Sequence, residues 1–254
     1  MKRGYQRDFS LEHKDEMFNE KKRGIKAQKA IAVIDDYLSK KGVSPSFLRA
    51  LDIGCSAGLM TAFYGAHFGE VHGIDIDRNA VGFARANNRC ENVSFIVGDG
   101  MAIPYPDGFF DLVICTHIYE HVPSADRLID EIYRILKPSG ICFFAAGNRI
   151  VLIEGHYRLP LLSVFPKPIS HIYLKLMGKG DRYYEEHRTF WGLKRLVRRF
   201  SVIDYTRAII VDPERFYAID MVRNGSMQQR LALVFLSFFY FLSPTYIWLL
   251  VKNK

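Results

Sequence analysis

The sequence predicts an α/β fold in three layers, with a mainly parallel β-sheet lying between helices. From residue 47 onward, short apolar runs alternate with segments of helical periodicity, which is typical of repeated βα units. The apolar residues of these runs are nearly continuous, as expected for strands that are buried on both faces. With 254 residues and 49% apolar content, the chain can form one large domain with a sizeable insertion.

Five strands and three helices can be assigned in the regular part of the sequence. The predicted strands are 47–53, 70–76, 93–97, 110–115 and 141–145, and the predicted helices between them are 58–68, 79–88 and 125–136. Lys137-Pro138-Ser139-Gly140 predicts a helix stop and a turn before the fifth strand. Right-handed crossovers would bring the carboxyl ends of the strands to one edge of the sheet, where we expect the ligand site.

The segments on either side of the regular part have a different character. Residues 11–40 carry apolar side chains at helical spacing, starting at Met17, and predict an amphipathic helix that covers the core. Residues 148–188 are rich in proline, tyrosine and basic residues, which indicates an insertion. The chain is thereby divided into four regions, namely an N-terminal helical cover (1–46), a core (47–147), a cap insertion (148–188) and a C-terminal completion of the core (189–254).

The C-terminal region contains an apolar stretch that can be interpreted in three ways. Residues 231–251 carry no charge and are long enough to cross a bilayer, which needs roughly 20 apolar residues. Ser243-Pro244-Thr245 divides this stretch into a helix-like part and a β-rich part. The sequence therefore favours a helix followed by the last strand of the sheet, over a membrane anchor or a helix lying in a membrane interface.

Charge is distributed unevenly along the chain. Residues 49–148 carry 7 Lys+Arg against 12 Asp+Glu, whereas residues 149–254 carry 17 against 8. A basic region of this kind attracts an anionic acceptor or a negatively charged membrane surface, or it is simply a solvated surface. Four cysteines without a CxxC pair or zinc-ligand spacing, and no apolar signal segment, predict a cytoplasmic protein without disulfides or a metal site, with membrane association as an alternative.

A glycine-rich turn and two acidic residues mark the predicted ligand edge. The segment Asp52-Ile53-Gly54-Cys55-Ser56-Ala57-Gly58 follows a strand and opens a helix, so that small residues stand where backbone passes close to a ligand. Asp75 follows 21 residues after Gly54, at the end of the second strand, where a carboxylate accepts hydrogen bonds from a ribose. Asp99 ends the third strand and suits an adenine amino group, with Met101 and Ile76 as apolar neighbours.

These residues resemble the class I S-adenosylmethionine-dependent methyltransferases, particularly the small-molecule branch called type 11. The matching stretches are LDIGCSAG, VHGIDID, VGDGMAIPYPDGFFDLVICTHIYEHV and EIYRILKPSGICFFAA, within residues 51–144. The resemblance implies a Rossmann-like, seven-stranded sheet with an antiparallel last strand, and S-adenosylmethionine as cofactor. The cofactor-binding residues that it implies are Asp52, Gly54, Cys55, Ser56, Gly58, Asp75, Ile76, Asp99, Gly100, Met101, Thr116 and His117.

A dinucleotide-dependent dehydrogenase would have the same type of fold, but its glycine fingerprint does not match this sequence. Its fingerprint requires glycine at positions 56 and 59, which are Ser56 and Leu59 in this chain. Asp52 also suits a cationic amino group and would repel a pyrophosphate. Ser56 is a departure from the methyltransferases as well, since they often have glycine at this position.

The predicted function is methyl transfer, at oxygen, to a small or lipid-linked, saccharide or quinone-type acceptor. The sulfonium donor is already activated, so the protein has mainly to align the acceptor and exclude water. Candidate bases are His117, Glu120 and His121, which follow the fourth strand at the ligand edge, and the candidates for acceptor contact are Arg149, His156, Tyr157 and His187. The alternatives are a non-catalytic cofactor-binding partner protein and a protein or RNA methyltransferase, although no RNA-binding module is visible.

Overall fold

The computed structural model describes residues 18–253, which form a seven-stranded sheet with helices on both faces. The strands are β1 (Arg49–Ile53), β2 (Glu70–Asp75), β3 (Val93–Val97), β4 (Phe110–Thr116), β5 (Leu136–Gly147), β6 (Phe200–Asp204) and β7 (Thr245–Lys252). The helices are α1 (Glu20–Lys41), α2 (Leu59–Gly65), α3 (Arg78–Asn87), α4 (Ala125–Ile135), α5 (Lys167–Leu176), α6 (Phe190–Leu196), α7 (Thr206–Val211) and α8 (Met227–Phe239).

The strand order is β3-β2-β1-β4-β5-β7-β6. Strands β1 to β5 pair in parallel, and β7 lies antiparallel between β5 and β6. The predicted fold class, a three-layer sandwich with an antiparallel last strand, is therefore confirmed. The order reverses between β1 and β4, so the ends of these strands border the crevice in which open α/β sheets bind ligands.

Successive side chains of the central strands point to opposite faces of the sheet and form two apolar cores, one on each face. On β4, Leu112 and Ile114 face the core that includes α1, α2 and α3, whereas Val113 and Cys115 face the core that includes α4 and α6. All four side chains are completely buried. The nearly continuous apolar run of β4 is thus explained by burial on both faces.

Helix α1 covers the first of these cores, as the sequence predicts. Asn19 caps its first turn by accepting a hydrogen bond from the Lys22 N–H, and Gly42 ends it in the left-handed conformation. Its buried side chains include Ala27 and Ile34. The N-terminal part of the predicted helix, including Met17, lies outside the described residues.

The helix stop predicted at 137–140 is confirmed, since α4 ends at Ile135, but the predicted turn is wrong, because residues 137–140 make a bulge inside β5. Leu136 already pairs with Phe110, and Ile141 pairs with Leu112, so four residues of β5 stand opposite one residue of β4. That residue, Asp111, accepts a 2.7 Å hydrogen bond from Lys137 Nζ. The lysine-carboxylate pair holds the extra residues against β4.

The apolar stretch near the C-terminus forms a helix and a strand, as the sequence favours. Helix α8 ends before Ser243, and β7 then inserts Tyr246 and Trp248 into the core next to β5. Within residues 18–253, no helix combines the length and the apolar character needed to span a membrane.

The cap, residues 148–188, consists of α5 and irregular segments around a small apolar cluster. Leu159, Leu162, Leu174 and Tyr183 form this cluster. Asn148 fastens the cap to the C-terminal region, because its buried amide donates 3.0 Å hydrogen bonds to the carbonyl groups of Phe241 and Ser243. The cap therefore lies over the carboxyl end of β5, beside the ligand edge.

Candidate active site

The turn after β1 forms the floor of a cleft at the carboxyl edge of the sheet. Gly54 and Gly58 adopt φ values of 76° and 77°, and a Cβ on Gly54 would come within 2.1 Å of the Ile118 side chain. Glycine is therefore required at both positions. The cleft is lined by Arg23, Asp52, Ile53, Gly54, Cys55, Ser56, Ala57, Leu59, Met60 and Thr116.

Ser56 keeps the backbone conformation that glycine would adopt. Its φ is 48°, which is uncommon for a residue with a side chain. Its Oγ is buried and has no hydrogen-bond partner among the described residues, and the same is true of Thr116 Oγ1 across the cleft. Buried hydroxyls are normally paired, so these two atoms mark places where a polar ligand group fits.

Asp75 links the turn after β1 to the loop after β2. One carboxylate oxygen accepts a 2.8 Å hydrogen bond from the Ser56 N–H, and the other accepts a 2.9 Å bond from the Asp77 N–H. Burial raises the pKa of Asp75 above its usual value, although these N–H donors oppose the shift. Asp77 has a separate role, since it caps α3 by accepting from Asn79 and Ala80.

Asp52 lies buried beneath the same turn. Its carboxylate accepts a 2.7 Å hydrogen bond from the Thr61 hydroxyl. Burial raises its pKa to about 7, although the Thr61 hydrogen bond and the charge of Arg23 act in the opposite direction. A cationic ligand group beside Asp52 would favour the ionised carboxylate.

Arg23 belongs to the cleft but was not identified from the sequence. It lies on α1, with Nη1 3.5 Å from the Met60 sulfur and with its charge close enough to affect Asp52. The sequence offers no local signal for this role, because Arg23 is one of several basic residues on a charged helix.

A second hollow lies beside the ends of β2 and β3. It is lined by Ile76, Asp77, Arg78, Asn79, Val97, Gly98 and Asp99. Asp99 accepts a 2.7 Å hydrogen bond from the Met101 N–H, which fixes the loop after β3. Gly100 packs closely against the core, since an added Cβ would lie 3.1 Å from Leu128. The side chain of Cys55, another predicted cofactor residue, belongs to the apolar core.

Comparison with known proteins identifies the family to which this chain belongs. A family model described as a methyltransferase domain matches residues 51–144. The chain is 30% identical over 168 residues to a demethylmenaquinone methyltransferase of Staphylococcus aureus, which covers 62% of this chain and 68% of the relative. The chain belongs to the class I S-adenosylmethionine-dependent methyltransferases. The members of this class are enzymes, and their cofactor is S-adenosylmethionine.

Other relatives of this methyltransferase match over shorter stretches. A sterol 24-C-methyltransferase of Gibberella zeae is 35% identical over 127 residues, or 46% of this chain. A ubiquinone biosynthesis O-methyltransferase of Burkholderia orbicola is 33% identical over 105 residues, or 40% of this chain. The chain spans only 32% and 45% of the lengths of these two relatives.

A solved structure from Pyrococcus horikoshii, the PH0226 protein, has the same fold. It aligns with a TM-score of 0.60 at 19% identity, covering 92% of this methyltransferase and 93% of that protein.

Among the candidate bases of the methyltransferase, His117, which directly follows the cleft residue Thr116, is the most exposed, with 39% of its side chain accessible against 18% for His121. It follows β4 with φ 55°, and its Nδ1 lies 3.2 Å from Oε1 of Glu120. Glu120 is fully buried, and although burial alone would raise its pKa, the hydrogen bond and charge of His117 hold the pKa at about 2. His121 is also largely enclosed, and burial lowers its pKa to about 3.

The cap brings together two of the four candidates for acceptor contact. The rings of His156 and His187 lie 6.1 Å apart, and Tyr157 packs edge-on against Tyr183. Arg149 serves the cap itself, because its Nε donates a 3.2 Å hydrogen bond to the Ser163 carbonyl.

Proposed function

We propose that this methyltransferase transfers the methyl group of S-adenosylmethionine to an oxygen of a small, amphiphilic and anionic acceptor of the lipid-linked, saccharide or quinone type. The observation that carries the proposal is the His117–Glu120 pair, which follows the cleft residue Thr116 and is joined to the cap by a 2.8 Å hydrogen bond from the Glu186 N–H to the Glu120 carbonyl. The bound sulfonium supplies an activated methyl group, so the chain itself has to bind both reactants and manage one proton.

In this proposal, the cofactor lies along the carboxyl edge from β4 to β3. Asp52 would hold the amino group of the methionine moiety and Arg23 its carboxylate, which matches the opposite charges found in the cleft. The orphaned hydroxyls of Ser56 and Thr116 supply further hydrogen bonds. Asp75 would hold the ribose, and Asp99, Met101 and Ile76 would border the adenine.

His117 would accept the proton that a hydroxyl acceptor loses when the methyl group is transferred. Its Nδ1 is engaged by the Glu120 carboxylate, which favours the tautomer with the proton on Nδ1 and leaves Nε2 as the base. Glu120 acts as a positioning residue, because it is buried and orients the imidazole without reaching the cleft.

The surface of the cap supports an amphiphilic acceptor. Ile169, Ile172 and Leu176 lie on one face of α5 and are 51%, 62% and 80% exposed. Lys175, Lys179 and Arg182 add positive charge to the same region. Apolar side chains next to basic ones suit a molecule with an apolar tail and an anionic head, and also contact with an anionic membrane surface.

Methyl-labelled S-adenosylmethionine, incubated with the purified protein and fractionated lipid and metabolite extracts, tests the proposal. We expect label in an amphiphilic small-molecule fraction, and mass spectrometry of the product should locate the methyl group on oxygen. The Asp75→Ala variant is the control for cofactor-dependent labelling. Label found only in protein or RNA would contradict the acceptor class, and a methyl group on carbon would contradict the role of His117.

A further inference from the structure

The cap contains a cluster of potential metal ligands that the methyl-transfer proposal does not use. Glu154, His156 and His187 each offer one ligand atom, and these atoms all lie within 4.8 Å of one another. The histidines are 31 residues apart in the sequence, and the fold of the cap brings them together.

The side chains in this cluster are held in fixed orientations. Oε2 of Glu154 accepts hydrogen bonds of 2.9 and 2.8 Å from the N–H groups of His156 and Tyr157, while Oε1 lies 2.7 Å from His156 Nδ1. His187 Nδ1 lies 3.1 Å from the Tyr183 hydroxyl, which leaves Nε2 as the ligand atom of this imidazole. Metal-bound histidines commonly have such a partner on the second ring nitrogen, since it fixes the tautomer and the ring plane.

The charge buried around the cluster favours a cation. Glu120, Glu154 and Glu185 are 0%, 0% and 1% exposed. Both oxygens of Glu185 lack a hydrogen-bond partner among residues 18–253, and His121 Nδ1, at 3.9 Å, belongs to an imidazole whose pKa is lowered by burial. Buried carboxylates are costly unless a positive charge compensates them, and a divalent ion would provide that compensation.

We propose that Glu154, His156 and His187 bind a divalent transition-metal ion such as Zn²⁺ or Fe²⁺. Two imidazoles and a carboxylate form the ligand set that these ions take in proteins, whereas Mg²⁺ and Ca²⁺ prefer oxygen ligands throughout. Ligand atoms of a tetrahedral site lie about 3.3 Å apart when the bonds are about 2.0 Å long. The 2.7 Å pair of Glu154 and His156 therefore needs only a small outward movement to admit the ion.

The ion would lie next to the proposed acceptor side of the active site. A Cβ on Gly147, at the end of β5, would come within 3.1 Å of His187 Nε2 and 3.7 Å of Glu120 Oε1. Glu120 in turn contacts His117. The ion would thus join the loop at 154–156 to the segment that carries His187, and it would fix the wall of the cap that faces His117.

Titration of the chelator-treated full-length protein with Co²⁺, followed by competition with Zn²⁺, tests the metal site without any need for activity. We expect one Co²⁺ per chain with the visible absorption of a low-symmetry site, displacement of Co²⁺ by Zn²⁺, and a higher melting temperature with either ion. Elemental analysis of protein purified without chelator should show the same stoichiometry. A wild-type protein that is folded by circular dichroism but binds neither ion at one site per chain overturns the proposal.

Variants identify the ligands. His156→Gln and His187→Gln should abolish the Co²⁺ spectrum, and Glu154→Gln should weaken it while keeping an acceptor for the two backbone N–H groups. Tyr183→Phe removes the partner of His187 and should weaken Co²⁺ binding by roughly 10- to 100-fold. The matched control is His67→Ala, which removes a histidine that pairs with Asp35 outside the cluster. Co²⁺ binding that persists unchanged in both histidine variants would show that another set of residues holds the ion.

Discussion

The cofactor edge and the cap both contain carboxylates with limited exposure, but these carboxylates have different partners. At the edge, Asp75 and Asp99 accept hydrogen bonds from backbone N–H groups of neighbouring loops, so they hold the shape of those loops. In the cap, Glu154 lies 2.7 Å from His156 Nδ1 and Glu185 lies 3.9 Å from His121 Nδ1, so these carboxylates lie among histidine side chains rather than backbone N–H groups of neighbouring strand ends.

This difference separates the edge that would bind the cofactor from the cap that would contact the acceptor. Backbone hydrogen bonds at strand ends depend on short motifs, which lie within the stretch 51–144 that the family model matches. Side-chain clusters depend on the particular cap. We therefore expect substitutions at the edge to change cofactor affinity, and substitutions in or beside the cap to change methyl transfer with little effect on the cofactor.

The largest expected effect is that of His117→Asn, at the boundary of the two regions. Asparagine tolerates the left-handed backbone conformation at this position but cannot act as the base. We expect the rate of methyl transfer under saturating cofactor to fall by about 10²- to 10⁴-fold, measured with the acceptor fraction identified by labelling. Cofactor affinity from calorimetry should change by less than about threefold, since only the proton acceptor is lost. An unchanged rate would remove His117 from the mechanism.

Asp75→Ala tests the cofactor edge. It removes the proposed ribose contacts and leaves the N–H groups of Ser56 and Asp77 without their acceptor. We expect a loss of about 1.5 to 3 kcal/mol in cofactor binding, or roughly 10- to 150-fold in Kd by calorimetry. The matched control is Ser226→Ala, which should lower the melting temperature through loss of the α8 cap but leave the Kd nearly unchanged. Equal Kd values for Asp75→Ala and the wild type would refute the ribose assignment.

The exposed face of α5 tests the proposed contact of the cap with a lipid surface. The double variant Ile172→Ser, Leu176→Ser should weaken binding to anionic phospholipid vesicles by roughly tenfold, because it removes apolar area that would leave water. Phe47→Ser removes an equally exposed apolar side chain outside the cap and should have no effect. Vesicle flotation measures the binding of both variants to the vesicles. Equal losses in the two variants would assign the binding to general surface hydrophobicity.

The smallest effect is a pH dependence of cofactor binding that arises at Asp52. Its pKa is raised to about 7, so below that pH the free protein holds a proton that the ammonium group of the cofactor would displace. Cofactor affinity should therefore rise by up to about tenfold per pH unit as the pH approaches 7 from below, and binding should release up to one proton. Calorimetry in buffers of different ionisation enthalpy measures the number of protons that binding releases.

Asp52→Asn provides the control for this titration. It should bind the cofactor more weakly and with no proton release. A wild-type affinity that does not change with pH would separate Asp52 from the amino group of the cofactor.

The sequence by itself determined the order of the elements and the positions of the carboxylates at the strand ends. Asp52 lies near the end of one apolar run, Asp75 at the end of the next, and Asp99 just after the third. Burial on both faces lets such a run be recognised as a strand of a parallel sheet. The turn at Gly54 to Gly58 could also be predicted, because glycines that permit positive φ values mark it in the local sequence. The division of 231–251 into a helix and a strand followed from another local signal, the proline at 244.

Only the tertiary structure decided which distant side chains meet. Arg23 reaches the cleft because α1 packs across the sheet. The local sequence of a charged helix does not determine the direction in which the helix packs. The bulge in β5 depends on pairing with Asp111 of another strand. The cluster of Glu154, His156 and His187 depends on how the irregular cap closes. Periodicity and turn chemistry act over a few residues, whereas these contacts are set by the packing of the whole domain.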